Sequence, residues 1–274
     1  MTELINNTVT STFAQRLPKT ENMFIPFIMS GDPTPELTIE LAYTLQESGA
    51  DVLELGVHYS DPLADGPTIQ QAAARAIEQG MTIQKAIQLI PEMRKRGVHI
   101  PIVLFTYCNP VLQYGMETLV KELKKNEADG LLVPDIPLEE SEELKQHAEA
   151  HGIQLISLVA PNSEERIKRI AEQASGFLYC VSSLGVTGER AEMNPNISSF
   201  LEKVKHYSSV PVAVGFGIST NDQVQLMHNY SDGVIVGSKI IKIIEGEQSA
   251  LLKEDTRDEG LKRVKEQITQ LINY

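Results

Sequence analysis

Short apolar runs rich in branched residues recur at 24–29, 52–57, 100–106, 130–133, 153–158, 177–181, 210–214 and 233–236. Between them lie amphipathic stretches whose apolar positions return every three to four residues, the period of a helix with one buried face. The short runs are apolar almost throughout, which predicts strands covered on both sides, a parallel sheet under a layer of helices. Eight such units in about 250 residues is the count and size of an α/β protein of the (β/α)8 TIM-barrel class. We therefore expect one domain over 1–274, with an extra N-terminal helix at 11–16, a short extra helix after the eighth strand and a C-terminal helix at 261–272. The unit after the second strand is long enough for two helices, 67–79 and 82–96, and the polar stretch 246–260 predicts a solvated boundary between a turn and a helix.

An open dinucleotide-binding sheet is the rival arrangement. It requires G-x-G-x-x-G between the first strand and its helix, and that junction here is Met29-Ser30-Gly31-Asp32-Pro33.

Composition narrows the function. Of 274 residues 42% are hydrophobic and 22% charged, an ordinary globular balance, and 24 Lys and Arg stand against 37 Asp and Glu. The net charge of −13 opposes binding to a phosphate backbone, so nucleic acid is not an expected partner. No apolar run reaches the roughly 18 residues of a membrane span, and the start lacks a signal-like pattern, so the expected location is cytoplasmic. Cys108 and Cys180 sit in apolar surroundings and are expected as packed, reduced thiols. His147 and His151 share helical spacing in a polar stretch and read as a solvated face; no metal site is expected.

Barrel chemistry gathers at the C-terminal ends of strands. Alternation along the second run puts Val52, Glu54 and Gly56 on one face, so Glu54 projects among hydrophobic neighbours. Desolvation should raise its pKa toward neutrality, which suits a group that both gives and takes a proton. The loop that follows carries Asp65 just before Gly66 and Pro67. Asp65 is either a helix cap or a second carboxylate, more solvated and therefore ionised, that shares acid and base roles with Glu54.

Glycines fall after the last three predicted strands, in the segments at 183–188, 215–219 and 237–239. Their backbone N–H groups can approach an anion closely, and the helix start after Gly237 adds a positive dipole end, so a phosphate site is expected there. Lys239 lies just inside that helix and reads as a surface or phosphate-neighbouring lysine, not a Schiff-base nucleophile.

These segments, above all Ser60-Asp61-Pro62-Leu63-Ala64-Asp65-Gly66-Pro67-Thr68-Ile69-Gln70, together with Pro26-Phe27-Ile28-Met29-Ser30-Gly31-Asp32-Pro33, Leu53-Glu54-Leu55-Gly56, Gly185-Val186-Thr187-Gly188 and Gly215-Phe216-Gly217-Ile218-Ser219, resemble the tryptophan synthase α family over about residues 15 to 270. The resemblance implies a lyase that cleaves indole-3-glycerol phosphate to indole and glyceraldehyde 3-phosphate, with Glu54 as acid/base and Asp65 bonded to the indole nitrogen. It implies Tyr179 beside that pair and an indole pocket walled by Phe27, Ile69, Phe105, Leu132, Phe216 and Ile235. Phosphate would be held at Thr187, Gly188, Gly217, Gly237 and Ser238. The family resemblance further implies no cofactor in this chain, and a β-chain partner carrying pyridoxal phosphate in an α2β2 tetramer that receives the indole. The loops around Asp61 and at 107–111, with a lid over 182–195, would serve that coupling.

The sequence departs from the family pattern at His58, where proline is usual, at Met29, where many members have Thr, and at Ser183, where some have Arg. Proline would fix φ and withhold an N–H; histidine does neither and can titrate. Two alternative readings follow: a catalytically weak subunit that activates the β chain, and a stand-alone lyase that releases free indole.

Overall fold

The computed structural model describes residues 13–62, 65–181, 197–215 and 217–273. Its elements run α1 (Phe13–Arg16), β1 (Met23–Met29), α2 (Pro35–Glu47), β2 (Leu53–Gly56), α3 (Pro67–Glu78), α4 (Ile83–Arg96), β3 (Ile102–Phe105), α5 (Cys108–Tyr114), α6 (Met116–Lys125), β4 (Gly130–Leu132) and a 3-10 turn (Leu138–Glu140). They continue α7 (Glu142–Ala150), β5 (Gln154–Val159), α8 (Glu164–Glu172), β6 (Leu178–Val181), α9 (Ile197–Tyr207), β7 (Val212–Gly215), α10 (Asn221–His228), β8 (Gly233–Val236), α11 (Ser238–Leu251) and α12 (Arg257–Ile272). The eight strands pair in parallel, in chain order, and β8 closes on β1. None of the described helices is long and apolar enough to cross a membrane.

Helix starts follow local chemistry. Thr34 and Thr82 cap α2 and α4 by accepting the N–H groups of Leu37 and Lys85, and Thr220 with Gln223 forms a reciprocal capping box on α10. Gly97 ends α4 at φ 105°, a left-handed conformation that suits glycine.

Alternation divides the strand residues between two apolar layers. Leu53 and Leu55 face the helices, whereas Val52 joins Met23, Ile25, Val103, Leu132, Ile156, Ala213 and Ile235 inside the barrel. The floor of that interior is closed by α1, whose Phe13 ring lies 6.3 Å from Phe177.

The N-terminal rim is held by a repeated device. Asp51, Asp129 and Asp232 each sit just ahead of an even-numbered strand, donate their own N–H to a carbonyl on the preceding strand, and accept the N–H of that same residue on a side-chain oxygen. The partners are Phe24, Ile102 and Val212, with side-chain bonds of 2.8, 2.9 and 2.8 Å. Each carboxylate also has a cation: Lys19 at 3.4 Å, Arg94 at 2.6 Å and Lys205 at 2.6 Å respectively.

Two expectations are corrected, the short helix after β8 and the loop at 107–111. The helix after β8 is not short; α11 has 14 residues. The boundary expected at 246–260 falls where α11 ends at Leu251 and α12 begins at Arg257, and all its residues but Leu251 and Gly260, which pack against each other, are at least partly exposed. The stretch 107–111, read as a loop, starts α5. The proposed lid at 182–195 lies outside the described residues.

Candidate active site

Glu54 stands in the middle of β2, in register with Phe27 on β1 and Val103 on β3, and points inward as alternation requires. It is 1% exposed, and its Oε1 has no hydrogen-bond partner. Burial alone pushes its carboxyl up to about 8, so the group is neutral at pH 7.

Asp65 departs from expectation. It is 6% exposed, not solvated, and burial raises its pKa to about 6 against the lowering effect of a hydrogen bond from the Tyr107 hydroxyl. Nor is it the cap of α3: that position is Gly66, with Pro67 in the first turn and no side-chain cap bond. The Asp65 carbonyl instead accepts Gln70 Nε2 at 2.7 Å, which ties the residue to the first turn of the helix. The neighbouring Leu63 and Ala64 lie outside the described residues.

Tyr179, on β6, joins the two carboxyls. The residue is half-buried, and its hydroxyl lies over β7, close enough that a Cβ at Gly215 would meet it at 2.5 Å. Enclosure first, and then the charges of Glu54 and Asp65, hold its pKa well above the usual phenol value. Tyr179 is therefore a neutral hydroxyl in the field of both acids.

Apolar walls surround them. Phe27 meets Phe105 edge to face at 5.5 Å, and the Phe27 ring occupies the space that any side chain at position 56 would need, so only glycine fits there. Leu132 and Ile235 line the interior. Ile69, from the first turn of α3, and Phe27 both approach Gly237, since a Cβ there would lie 3.7 Å from Ile69 Cδ1 and 3.7 Å from Phe27 Cβ. Gly237 immediately precedes α11, whose first turn, beginning with the buried Ser238, has no side-chain cap, which leaves backbone N–H groups for an anion. Gly217 turns at φ 66°, a left-handed conformation that suits glycine. Thr187, Gly188 and Phe216 lie outside the described residues.

Tyr107 was not singled out from sequence. Its signal was available: it follows Phe105 by two positions, so alternation continued one step past β3 puts it on the inner side. It is 1% exposed, with its ring 5.3 Å from that of Tyr59, which accepts Asn109 Nδ2 at 3.1 Å. Elsewhere Cys108 and Cys180 are unbridged, and His151 Nδ1 lies 2.9 Å from the carbonyl of His147, one helical turn earlier.

The family profile described as tryptophan synthase alpha chain matches residues 13–272. The chain is 59% identical over 247 residues to the tryptophan synthase alpha chain of Geobacillus sp. (strain WCH70), covering 90% of this chain and 94% of that one. To the corresponding chain of Bacillus subtilis (strain 168) it is 57% identical over 249 residues, 91% and 93% of the two chains. Among solved structures, tryptophan synthase subunit alpha from Legionella pneumophila str. Paris superposes with a TM-score of 0.81 at 34% identity, covering 92% and 91%. A structure described as the basis of mutual activation of the tryptophan synthase α2β2 complex from Pyrococcus furiosus superposes at 0.82 with 33% identity, covering 93% and 99%.

Proposed function

As this chain belongs to the tryptophan synthase alpha chain family, we propose that it cleaves indole-3-glycerol phosphate to indole and glyceraldehyde 3-phosphate and passes the indole to a β chain in an α2β2 assembly. The observation that carries this reading is the pair of buried carboxyls with different proton affinities, Glu54 near 8 and Asp65 near 6, under an apolar wall. Between those values Glu54 holds its proton and Asp65 has released its own.

The chemistry follows from that division. Glu54 gives its proton to C3 of the indole ring, while the Asp65 carboxylate accepts the ring N–H and stabilises the positive charge that forms on nitrogen. The ionised Glu54 then takes the proton of the hydroxyl on the carbon attached to C3. That carbon becomes the aldehyde, the broken C–C bond's electrons return to the ring, and the nitrogen is neutral again. Glu54 ends protonated, as it began. The ring is the electron sink, so the cleavage asks for no cofactor in this chain; pyridoxal phosphate belongs to the proposed β partner. The phosphate would sit on the backbone at Gly217, Gly237 and Ser238, together with Thr187 and Gly188, and Phe27, Ile69, Phe105, Leu132, Phe216 and Ile235 would enclose the indole. A cytoplasmic location and a single domain over 1–274 accompany this reading.

Indole release from indole-3-glycerol phosphate tests it, with the purified chain alone and after addition of a tryptophan synthase β chain. Slow release that rises with the partner is expected. Fast release from the chain alone points to a stand-alone lyase, and no release with either sample points to a binding subunit.

A further inference from the structure

Arg75 sits far from the chemistry, eight residues into α3, about 12 Å along the helix axis from Pro67. Its guanidinium makes a two-point contact with Asp32 in the β1–α2 connection, Nε to Oδ1 at 2.6 Å and Nη2 to Oδ2 at 2.9 Å. Its third nitrogen, Nη1, reaches Glu245 Oε1 on α11 at 3.1 Å. The Asp32 side chain is only 2% exposed, so this is the anchored end of the bridge; Glu245, at 41%, is the looser one. One side chain thus spans three elements: the connection after β1, the helix that begins beside Asp65, and the helix whose start is the expected phosphate anchor.

The two helices also meet at their mouths, through Ile69 and Gly237. Contacts at both levels, one at the site and one two turns below, define a tilt and not just a touching point. The Asp65 carbonyl is bonded to Gln70 in the first turn of α3, so any rotation of α3 carries the Asp65 carboxylate with it. A planar fork held at two points resists such rotation in a way that a single ammonium contact does not.

Resting on the function proposed above, we infer that Arg75 is a positioning residue: by bridging Asp32 and Glu245 it sets the separation between the Asp65 carboxylate and the backbone N–H groups at the start of α11. A substrate with an indole at one end and a phosphate at the other reads that separation directly. Either fragment alone does not.

The distinction gives the test. Two variants of the full chain are compared with the wild type: Arg75→Lys, which keeps the charge and loses the fork, and Asp32→Asn combined with Arg75→Gln, which leaves no buried carboxylate unpaired. Binding is measured for indole alone, glycerol 3-phosphate alone and an uncleavable indolyl-alkyl phosphate that joins the two ends. Each fragment should bind within about twofold of wild type, while the joined ligand weakens about tenfold, with a parallel loss in kcat, because misplacement costs only the ligand that engages both sites. Equal weakening of all three ligands would make Arg75 an ordinary stabiliser, and an unchanged joined ligand would remove the proposal. Indole release by the wild-type chain is read first: its absence ends the functional reading and this proposal together, whereas release with no selective loss ends only the role of Arg75.

Discussion

The Tyr107 hydroxyl donates a hydrogen bond to the Asp65 carboxylate, joining the end of β3 to the segment that leads into α3. The donor itself is immobilised: its ring is 1% exposed and packs 5.3 Å from Tyr59 and 6.5 Å from Phe105. Burial raises the pKa of Asp65 and this bond lowers it, with burial the larger effect. Removing the bond in Tyr107→Phe should therefore move the acid limb of the pH–rate profile to higher pH, and lower kcat/KM near neutrality about tenfold, as loss of a charge-assisted bond does. A profile whose acid limb stays put would show that another group sets it.

The wild-type profile should itself be a bell with apparent pKa values near 6 and near 8, belonging to the pair of carboxyls together. In Asp65→Asn the acid limb disappears and cleavage falls by orders of magnitude, while affinity for a phosphate ligand changes little. Equal losses of cleavage and phosphate affinity would return Asp65 to a structural role.

Glu54 predicts a stability effect of definite sign. Below about pH 4.5 its carboxyl is protonated in both states; above that the unfolded chain releases the proton, while the native protein keeps it until about 8. Native stability therefore falls as pH rises through that window, by about 3 kcal/mol at pH 7 from this group. Urea unfolding of Glu54→Gln and wild type should show the variant gaining on wild type from pH 5 to 8. A gap that does not vary with pH would contradict the raised pKa.

At the opposite rim, Asp129 accepts Arg94 at 2.6 Å, Arg16 at 3.3 Å and the Ile102 N–H at 2.9 Å, and both it and Arg94 are nearly enclosed. Asp129→Ala leaves a buried guanidinium without its carboxylate and should cost about 3 to 5 kcal/mol. The urea midpoint should drop steeply while kcat of the folded fraction holds, because the change lies at the stability end of the barrel. A loss of kcat with no loss of stability would reverse that assignment.

Much of this was legible in order along the chain. The apolar runs announce eight strands because a parallel strand buried on both faces cannot be polar on either, and alternation puts Glu54 inside because side chains on a strand change face at every step. Strand ends moved by one or two residues, as with the run at 100–106 that pairs only over Ile102–Phe105, because hydrogen-bonded register and not hydrophobicity sets where a ladder stops. The burial of Asp65, unlike its ionised state near neutrality, is not legible along the chain for a related reason: a loop residue before Gly66 and Pro67 looks solvated, and its 6% exposure depends on what the rest of the barrel mouth brings over it.

By itself, then, the sequence determined the barrel class, the inward direction of Glu54 and the family, all of which depend on local periodicity or on contiguous motifs. Only the tertiary structure decided that Asp65 is enclosed, that Tyr107 bonds to it, that Tyr179 lies in the field of both acids, and that Arg75 joins Asp32 to Glu245. Those relations link residues from 42 to 170 positions apart, and closure of the barrel from β1 to β8 brings them together. Dielectric surroundings, unlike periodicity, are a property of everything within a few ångströms, and no stretch of chain carries that on its own.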